Sequence, residues 1–454
     1  MRSTLPAIAA LLLGVALLLL GNGLQGTLLP LRAQIEAFDP LSIGVLGSSY
    51  FLGFALGGYF GPRVVRRVGH IRSFAAMVAT ASAVVLIHSL VISPPLWWAM
   101  RVISGACFAV LYIVIESWLN EKSTNESRGG VFAIYAVISF ATLGVGQSLL
   151  LLGAPDSADL FILSSILVSV AAVPVALTKA EQPAPIQTAE INLKRLFSVS
   201  PVGFIGCLSV GVANGAFWSL APIFAQNQSG AAGGGAEVIA AFMALVILTG
   251  AVGQWPLGYL SDRMDRRFVI VGGSAISATI GLSLWASSGL DPLIVLALAG
   301  AYGFFAFPLY SLCVAHVNDF VEPTRFVETA SGLSLIWGAG AVIGPILGSG
   351  AIDLLGAGGM FATTAVFHTA LVGFTLYRMG RRAAPPEAER GVFIDAVRVG
   401  VTVSTVDPLA ETDPKDQAVG EGDAAATGSP DETGEKAAEA DPAPNSFEET
   451  KPET

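Results

Sequence analysis

The chain has 454 residues, of which 53% are hydrophobic and 13% charged, with a mean hydropathy of +0.67. A water-soluble protein carries about 25% charged residues, so this composition excludes an ordinary soluble domain and points to a polytopic membrane protein. The net charge of -10 belongs to the tail: residues 1–382 hold 19 Lys+Arg against 17 Asp+Glu, residues 383–454 hold 5 against 17, and the acidity says nothing of a substrate.

Apolar bands of about 20 residues, long enough to cross a ~30 Å hydrocarbon layer, recur at 5–31, 41–61, 72–92, 96–118, 130–152, 159–178, 201–225, 237–260, 268–288, 292–315, 326–352 and 358–379. Only helices satisfy every backbone hydrogen bond in such spans without closing a barrel. The first band reads as a retained helix, because its apolar stretch is too long for a cleaved leader and no A-x-A-like site follows. Placing the N-terminus in the cytoplasm puts 17 Lys and Arg residues inside and only Arg32 outside, with Arg101 within a span. That asymmetry predicts an even number of spans and cytoplasmic termini.

Two phrases echo along the chain. NGLQGTLLPLRAQ from Asn22 and NGAFWSLAPIFAQ from Asn214 share six of thirteen positions, 192 residues apart. LYIVIESWLNE and LYSLCVAHVND align Tyr112 with Tyr310, Asn120 with Asn318 and Glu121 with Asp319, and Gly105/Gly303 and Gly146/Gly344 repeat at the same offset. The second six helices therefore read as a copy of the first six, a recurrent transporter architecture. The expected organisation is an N-terminal six-helix bundle over 1–178, a cytoplasmic linker over 179–199, a C-terminal six-helix bundle over 200–382 and a disordered acidic tail over 383–454. The fold class is an all-α membrane protein, twelve transmembrane helices in two pseudo-symmetric bundles.

Several polar residues stand out in these bands. Arg101 lies within the fourth, where a charge is costly unless it faces the bundle interior and is paired; it is the first candidate for binding an anionic group or relaying proton-linked charge, against snorkelling to the interface. Glu116 follows 15 residues later, within roughly 60° of the same helix face, with Tyr112 one turn before it. A protonatable acid on such a face suits proton coupling, and a structural partner at the helix end is the alternative. Asn22, Gln25, Asn214 and Trp218 offer amide and indole groups, either to a solute or to neighbouring helices, and Tyr310 echoes Tyr112. Gln147 and Gln254 are weaker candidates of the same kind. Gly340, Gly344 and Gly348, with Pro345 among them, form a small-residue stripe for close helix packing. Cys107, Cys207 and Cys313 lie in apolar runs, and His88, His316 and His368 stand alone without ligand spacing. No metal site, cofactor motif, nucleophile elbow, Walker loop or nucleic-acid footprint is visible.

These motifs together resemble the major facilitator superfamily over roughly residues 5–380. GYLSDRMDRR after the eighth band is similar to the family's G-x-x-x-D-R-x-G-R-R loop, with Asp265 in place of the second glycine. PRVVRRVGHIR after the second is a degenerate copy in which Arg66 replaces the acid and Gly69 is kept. RVISGACFA resembles the family's R-x-x-x-G pattern, with Arg101 as its arginine. GAVIGPILG lies in the eleventh band, whereas in drug/proton antiporters that form belongs in the fifth, which here reads TLGVGQSLL. The wording of bands two, four and ten looks closest to the YcaD-type transporters. The resemblance implies that bands one, four, seven and ten line a central cavity. It also implies a cytoplasmic gate, in which Asp262 meets Arg128 at the start of the fifth band. Arg263, Arg266 and Arg267 flank that acid. On the other side, Arg66, Arg67 or Arg72 would pair Asp319, Glu322 or Glu328, holding the inner end shut in an outward-open state.

The expected function is secondary transport of a small solute across the bacterial inner membrane by alternating access, coupled to protons, by a monomer in the lipid bilayer. The alternatives are an efflux antiporter for drugs or metabolites, and a non-transporting receptor or scaffold on the same fold. No enzymatic activity is expected.

Overall fold

The computed structural model describes residues 4–124, 127–177, 192–228, 235–322, 325–381 and 393. Residues 179–191 of the expected linker, and the expected tail apart from Phe393, lie outside this set. The described residues contain no strand. Twelve helices are long and apolar enough to cross a membrane: α1 (Ile8–Ile35), α2 (Pro40–Val68), α3 (His70–Leu90), α4 (Pro94–Glu121), α5 (Arg128–Leu152), α6 (Asp159–Ala176), α7 (Pro201–Gln228), α8 (Gly235–Arg263), α9 (Arg266–Trp285), α10 (Pro292–Asn318), α11 (Glu328–Leu355) and α12 (Gly359–Met379). A short helix, Leu193–Val199, precedes α7.

Some helices outrun the apolar bands that announced them, and α3, α6 and α9 stop short of theirs. α2 continues seven residues past the band edge at 61, because its arginine-rich end keeps good helix propensity in the interface. α10 is interrupted at Phe307 and Pro308, where proline lacks a donor and crowds the preceding turn. Pro30, Pro222 and Pro345, in contrast, sit inside continuous helices.

Neighbour relations in the first six helices recur in the second six. The pairs α1·α5, α1·α6, α2·α4, α3·α4 and α3·α6 correspond to α7·α11, α7·α12, α8·α10, α9·α10 and α9·α12. The two bundles meet through α2·α11 and α5·α8, which exchange under the same correspondence. Repeated glycines explain part of the repeated wording. A Cβ on Gly105 would collide with the Tyr50 carbonyl of α2, and one on Gly303 with the Val246 carbonyl of α8. Gly146 stands in the same way against Leu20 of α1, and Gly344 against Val212 of α7. Gly340 lies against Leu208 and Gly348 against Leu220, so the stripe on α11 packs on α7.

The apolar core is divided unevenly. One cluster holds residues from both bundles, among them Leu28, Ile43 and Trp97 from the first and Phe217, Phe224, Met243 and Phe361 from the second. It lies at the end where α1 and α7 finish and α2 and α8 begin. At the other end, which carries Arg63, Arg66, Arg67 and Arg263, the cores are separate. One contains Val65, Phe108, Trp118 and Tyr135 of the first bundle, the other Leu257, Leu312, Val314 and Leu333 of the second. The bundles are thus joined at one end and parted at the basic end.

Gly105→Ala and Gly303→Ala are each expected to lower stability by about 1–3 kcal/mol, as overpacking of a close helix contact does. Gly272→Ala, where an added Cβ meets nothing within 4 Å, should not. Unfolding midpoints of the purified variants in detergent check the ranking.

Candidate functional site

A cavity of about 420 Å³ lies between the two bundles. It runs from Leu29, Pro30 and Ile43 near the shared core to Tyr59, Arg63 and Ser331 at the basic end. Tyr59 is 48% exposed there, so this end is the mouth. Towards the closed end the bundles touch directly. Ser48 of α2 donates to the Val342 carbonyl of α11 at 2.6 Å, Gly44 abuts Ser349 and Gly47 abuts Ser219. Further contacts between the bundles are Phe51 against Trp337, ring centroids 5.9 Å apart, and Gly338 beside Ala55.

Six of the eight residues singled out for substrate or coupling line this one cavity: Asn22, Arg101, Tyr112, Asn214, Trp218 and Tyr310. Gln147 and Gln254 line it too, although Gln147 is spent on the Thr27 hydroxyl of α1. The Arg101 guanidinium stacks on the Tyr50 ring, 4.2 Å from its centroid, and its Nε is buried without a partner. Asn22 lies near the Tyr50 hydroxyl. Trp218 packs on Phe307, centroids 5.5 Å apart. Tyr310 shares a 3.1 Å hydrogen bond with Ser334 of α11 and leans on Trp337.

Two candidates fall elsewhere. Gln25 is buried between helices and its Nε2 has no partner. Glu116, only 2% exposed, turns away from the cavity towards α5, where the Tyr135 hydroxyl donates to its Oε1 at 3.3 Å. Its Oε2 has no hydrogen-bond partner. Tyr135 itself lines the cavity, so one phenol separates Glu116 from it. Sequence reasoning also missed Tyr50, Phe51, Phe54 and Trp337, which form part of the aromatic wall. Tyr50 and Phe54 are four apart on a glycine-rich helix, and that i,i+4 aromatic pair was the available signal.

The charges at the basic end depart from the expected gate. Asp262 pairs with Arg266 of its own bundle at 2.9 Å and accepts from the Phe393 backbone N–H at 2.9 Å. It makes no pair with Arg128, whose Nε is buried without a partner. Asp319 joins the same arginine at 2.9 Å, Glu328 faces Arg325 at 3.8 Å, and Glu322 is exposed. Arg66, Arg67 and Arg72 are exposed, and none pairs an acid of the opposite bundle among the described residues. The reason is geometric: with the cores parted at the basic end, Asp262, Asp319 and Glu328 meet their cations within their own half. The end expected to be shut is the open one.

The unequal loops also have a local cause. Gly69 adopts φ 92°, a backbone conformation that glycine adopts readily. Asp265 replaces the corresponding glycine of the other loop at φ -59°. It caps α9 by accepting from the Arg267 N–H at 3.0 Å and pairs with the Arg267 guanidinium at 2.7 Å. Burial pushes the Asp265 carboxyl up, but these hydrogen bonds outweigh it and hold the carboxyl below its usual value. Arg263 stacks on Tyr259, 4.0 Å from the ring centroid.

The family model of the Major Facilitator Superfamily matches residues 11–333 and 243–406. An uncharacterized MFS-type transporter YcaD of Escherichia fergusonii is 27% identical over 340 residues, covering 74% of this chain and 86% of the relative. The YcaD protein of Salmonella arizonae is 27% identical over 349 residues, with the same coverage. Among solved structures, the nucleoside transporter NupG superposes with a TM-score of 0.70 at 13% identity, covering 84% of this chain and 100% of that one. A bacterial homologue of the human lysosomal transporter Spinster, inward-facing and occupied, gives 0.69 at 17% identity, covering 86% and 99%. At such identities these likenesses establish the fold.

Arg266 and Asp319 are 1% and 2% exposed, so Asp319→Asn takes a charge-assisted hydrogen bond from a buried guanidinium that keeps Asp262. It is expected to destabilise by about 1.5–3 kcal/mol. Asp262→Asn, at a side chain 31% exposed, is expected to cost about 1 kcal/mol or less. Thermal unfolding in detergent reads the order, and a larger loss for Asp262 would contradict it.

Proposed function

The chain belongs to the major facilitator superfamily, and we propose that it is a secondary active transporter that moves a small solute through its central cavity by alternating access. The carrying observation is the division of the apolar core: one shared cluster closes one end, and two separate clusters leave the other open. The 17-to-1 distribution of Lys and Arg supports a cytoplasmic basic end, which makes this conformation open to the cytoplasm. The membrane is then the bacterial inner membrane, with both termini inside.

Closure of the basic end would use the charges already there. α5 and α8 run side by side, so Arg128 at the start of one and Asp262 at the end of the other belong to the same rim. α2 and α11 likewise bring Arg66 and Arg67 to the rim that carries Glu328. In the closed state these cross-bundle pairs replace the present own-half pairs.

Protons are the proposed coupling ion. Glu116 can take up or release a proton, and Tyr135 is the hydroxyl through which it communicates with the cavity. The identity of the solute follows from comparing metabolites in deletion and overexpressing cells. With that solute in proteoliposomes, Glu116→Gln should abolish accumulation driven by a pH gradient while solute exchange without a gradient persists. Accumulation at the wild-type rate would remove Glu116 from the coupling role. Reporter fusions after Ser157 and Arg195 should report opposite sides of the membrane, and the same side for both would overturn the orientation.

A further inference from the structure

The charge inventory of the cavity wall is one-sided. Its charged side chains are Arg101, deep within it, and Arg63, at the mouth; no Asp or Glu is present among the described lining residues. Arg63 is held by aromatic faces, its guanidinium 4.6 Å from the Tyr59 centroid, and donates to the Tyr59 carbonyl at 3.0 Å. Among the described residues Arg101 is held on its face, by Tyr50. The acid nearest to it on its own helix, Glu116, lies 15 residues away, about 22 Å along the axis, and is turned to Tyr135. A guanidinium in a partly desolvated site without a counter-charge is costly, and the Arg101 Nε is buried without a partner.

From this geometry we infer that the cavity takes an organic monoanion, a carboxylate carried on an aromatic or apolar body, with its head on the donor edge of Arg101. A carboxylate matches that edge with two parallel hydrogen bonds. One guanidinium at depth suits one negative charge. The body would lie among Phe51, Phe54, Trp218 and Trp337, whose rings offer large contact area. A volume of about 420 Å³ is within the range of small-molecule sites. Arg63 at the mouth adds a field that draws anions inwards and disfavours cations. The inference rests on reading this cavity as the solute site.

Matched probes separate head charge from body. Phenylacetate, phenylacetamide and phenethylamine share a ring and differ in charge, as do benzoate, benzamide and benzylamine. Purified protein in detergent at neutral pH is titrated with each and binding is read by calorimetry and by the shift in unfolding midpoint. The acid of at least one set should bind about tenfold or more tightly than its amide, and the amine most weakly. Arg101→Gln should erase the preference for the acid while keeping amide binding, and Arg101→Lys should retain only part of it. If Arg101→Gln fails to fold, Tyr50→Leu, which removes the stacking face, should weaken acid binding selectively. Amide or amine binding equal to the acid in both sets would overturn the inference, as would an unchanged preference in the folded Arg101→Gln protein. Acid binding without uptake in proteoliposomes would instead count against transport and leave the anion site standing. Uptake of the amine rather than the acid would do the reverse.

Discussion

An apolar core shared by both bundles at one end and divided at the other is the constraint on which the rest of the structure depends. In a membrane, helices gain little from burying apolar surface, because lipid tails are as apolar as leucine; association rests on close packing and hydrogen bonds. The closed end therefore needs tight contact, and Gly44 and Gly47 supply it by letting α2 approach Ser349 and Ser219. Aromatic rings of the second bundle stack beside it: Phe224 meets Phe361 at 4.8 Å between centroids, and Phe217 meets Phe307 at 5.5 Å. A directional bond from Ser48 to the Val342 carbonyl joins the bundles there. A seal built mostly of apolar contact can part without stranding many polar groups. That property would suit an end that opens in the proposed transport cycle.

Within each bundle the packing is of another kind, and it explains why the sequence repeats itself. The echoing glycines sit where one helix presses on the carbonyl of another, and the corresponding carbonyls belong to corresponding residues, Tyr50 with Val246 and Leu20 with Val212. Spans, duplication and fold class were legible because they rest on hydropathy, charge and such repeated small residues. Asn22 and Asn214 were legible as a pair for the same reason, and both face the cavity. The break of α10 at Phe307 and Pro308 was overlooked although its cause was written in the chain. The direction of Glu116 was not legible. Helical arithmetic placed it within about 60° of Arg101, but only the positions of α2 and α5 decide that one residue reaches Tyr50 and the other Tyr135. The aromatic wall was hidden because Tyr50, Phe51 and Phe54 read equally well as lipid-facing or core residues.

Charge is segregated in a way that follows from the cores parted at the basic end. Acids at the basic end are neutralised by arginines of their own bundle, with Arg266 shared between Asp262 and Asp319. Asp262 is further occupied by the Phe393 backbone N–H, and the Phe393 ring packs on Gly258. Any movement that brings α8 and α5 together at this end must first redistribute those bonds. The expected gate failed as a description of this conformation because sequence shows which charges exist, and not which partner is within reach when the cavity is open.

The position of Arg101 connects charge to conformation. Stacking on Tyr50 contributes about 2 kcal/mol at a desolvated site, whereas a buried, unpaired ion costs several. In the open state, water entering at the mouth offsets the difference. Closing the basic end over an empty cavity would remove that water and leave the guanidinium short of a partner, whereas closing it over a bound carboxylate would not. The same residue that recognises the cargo would thereby oppose the passage of the empty carrier through the closed state. A carboxylate cargo would in turn leave with Arg101 bare again, which returns the site to the condition that favours opening.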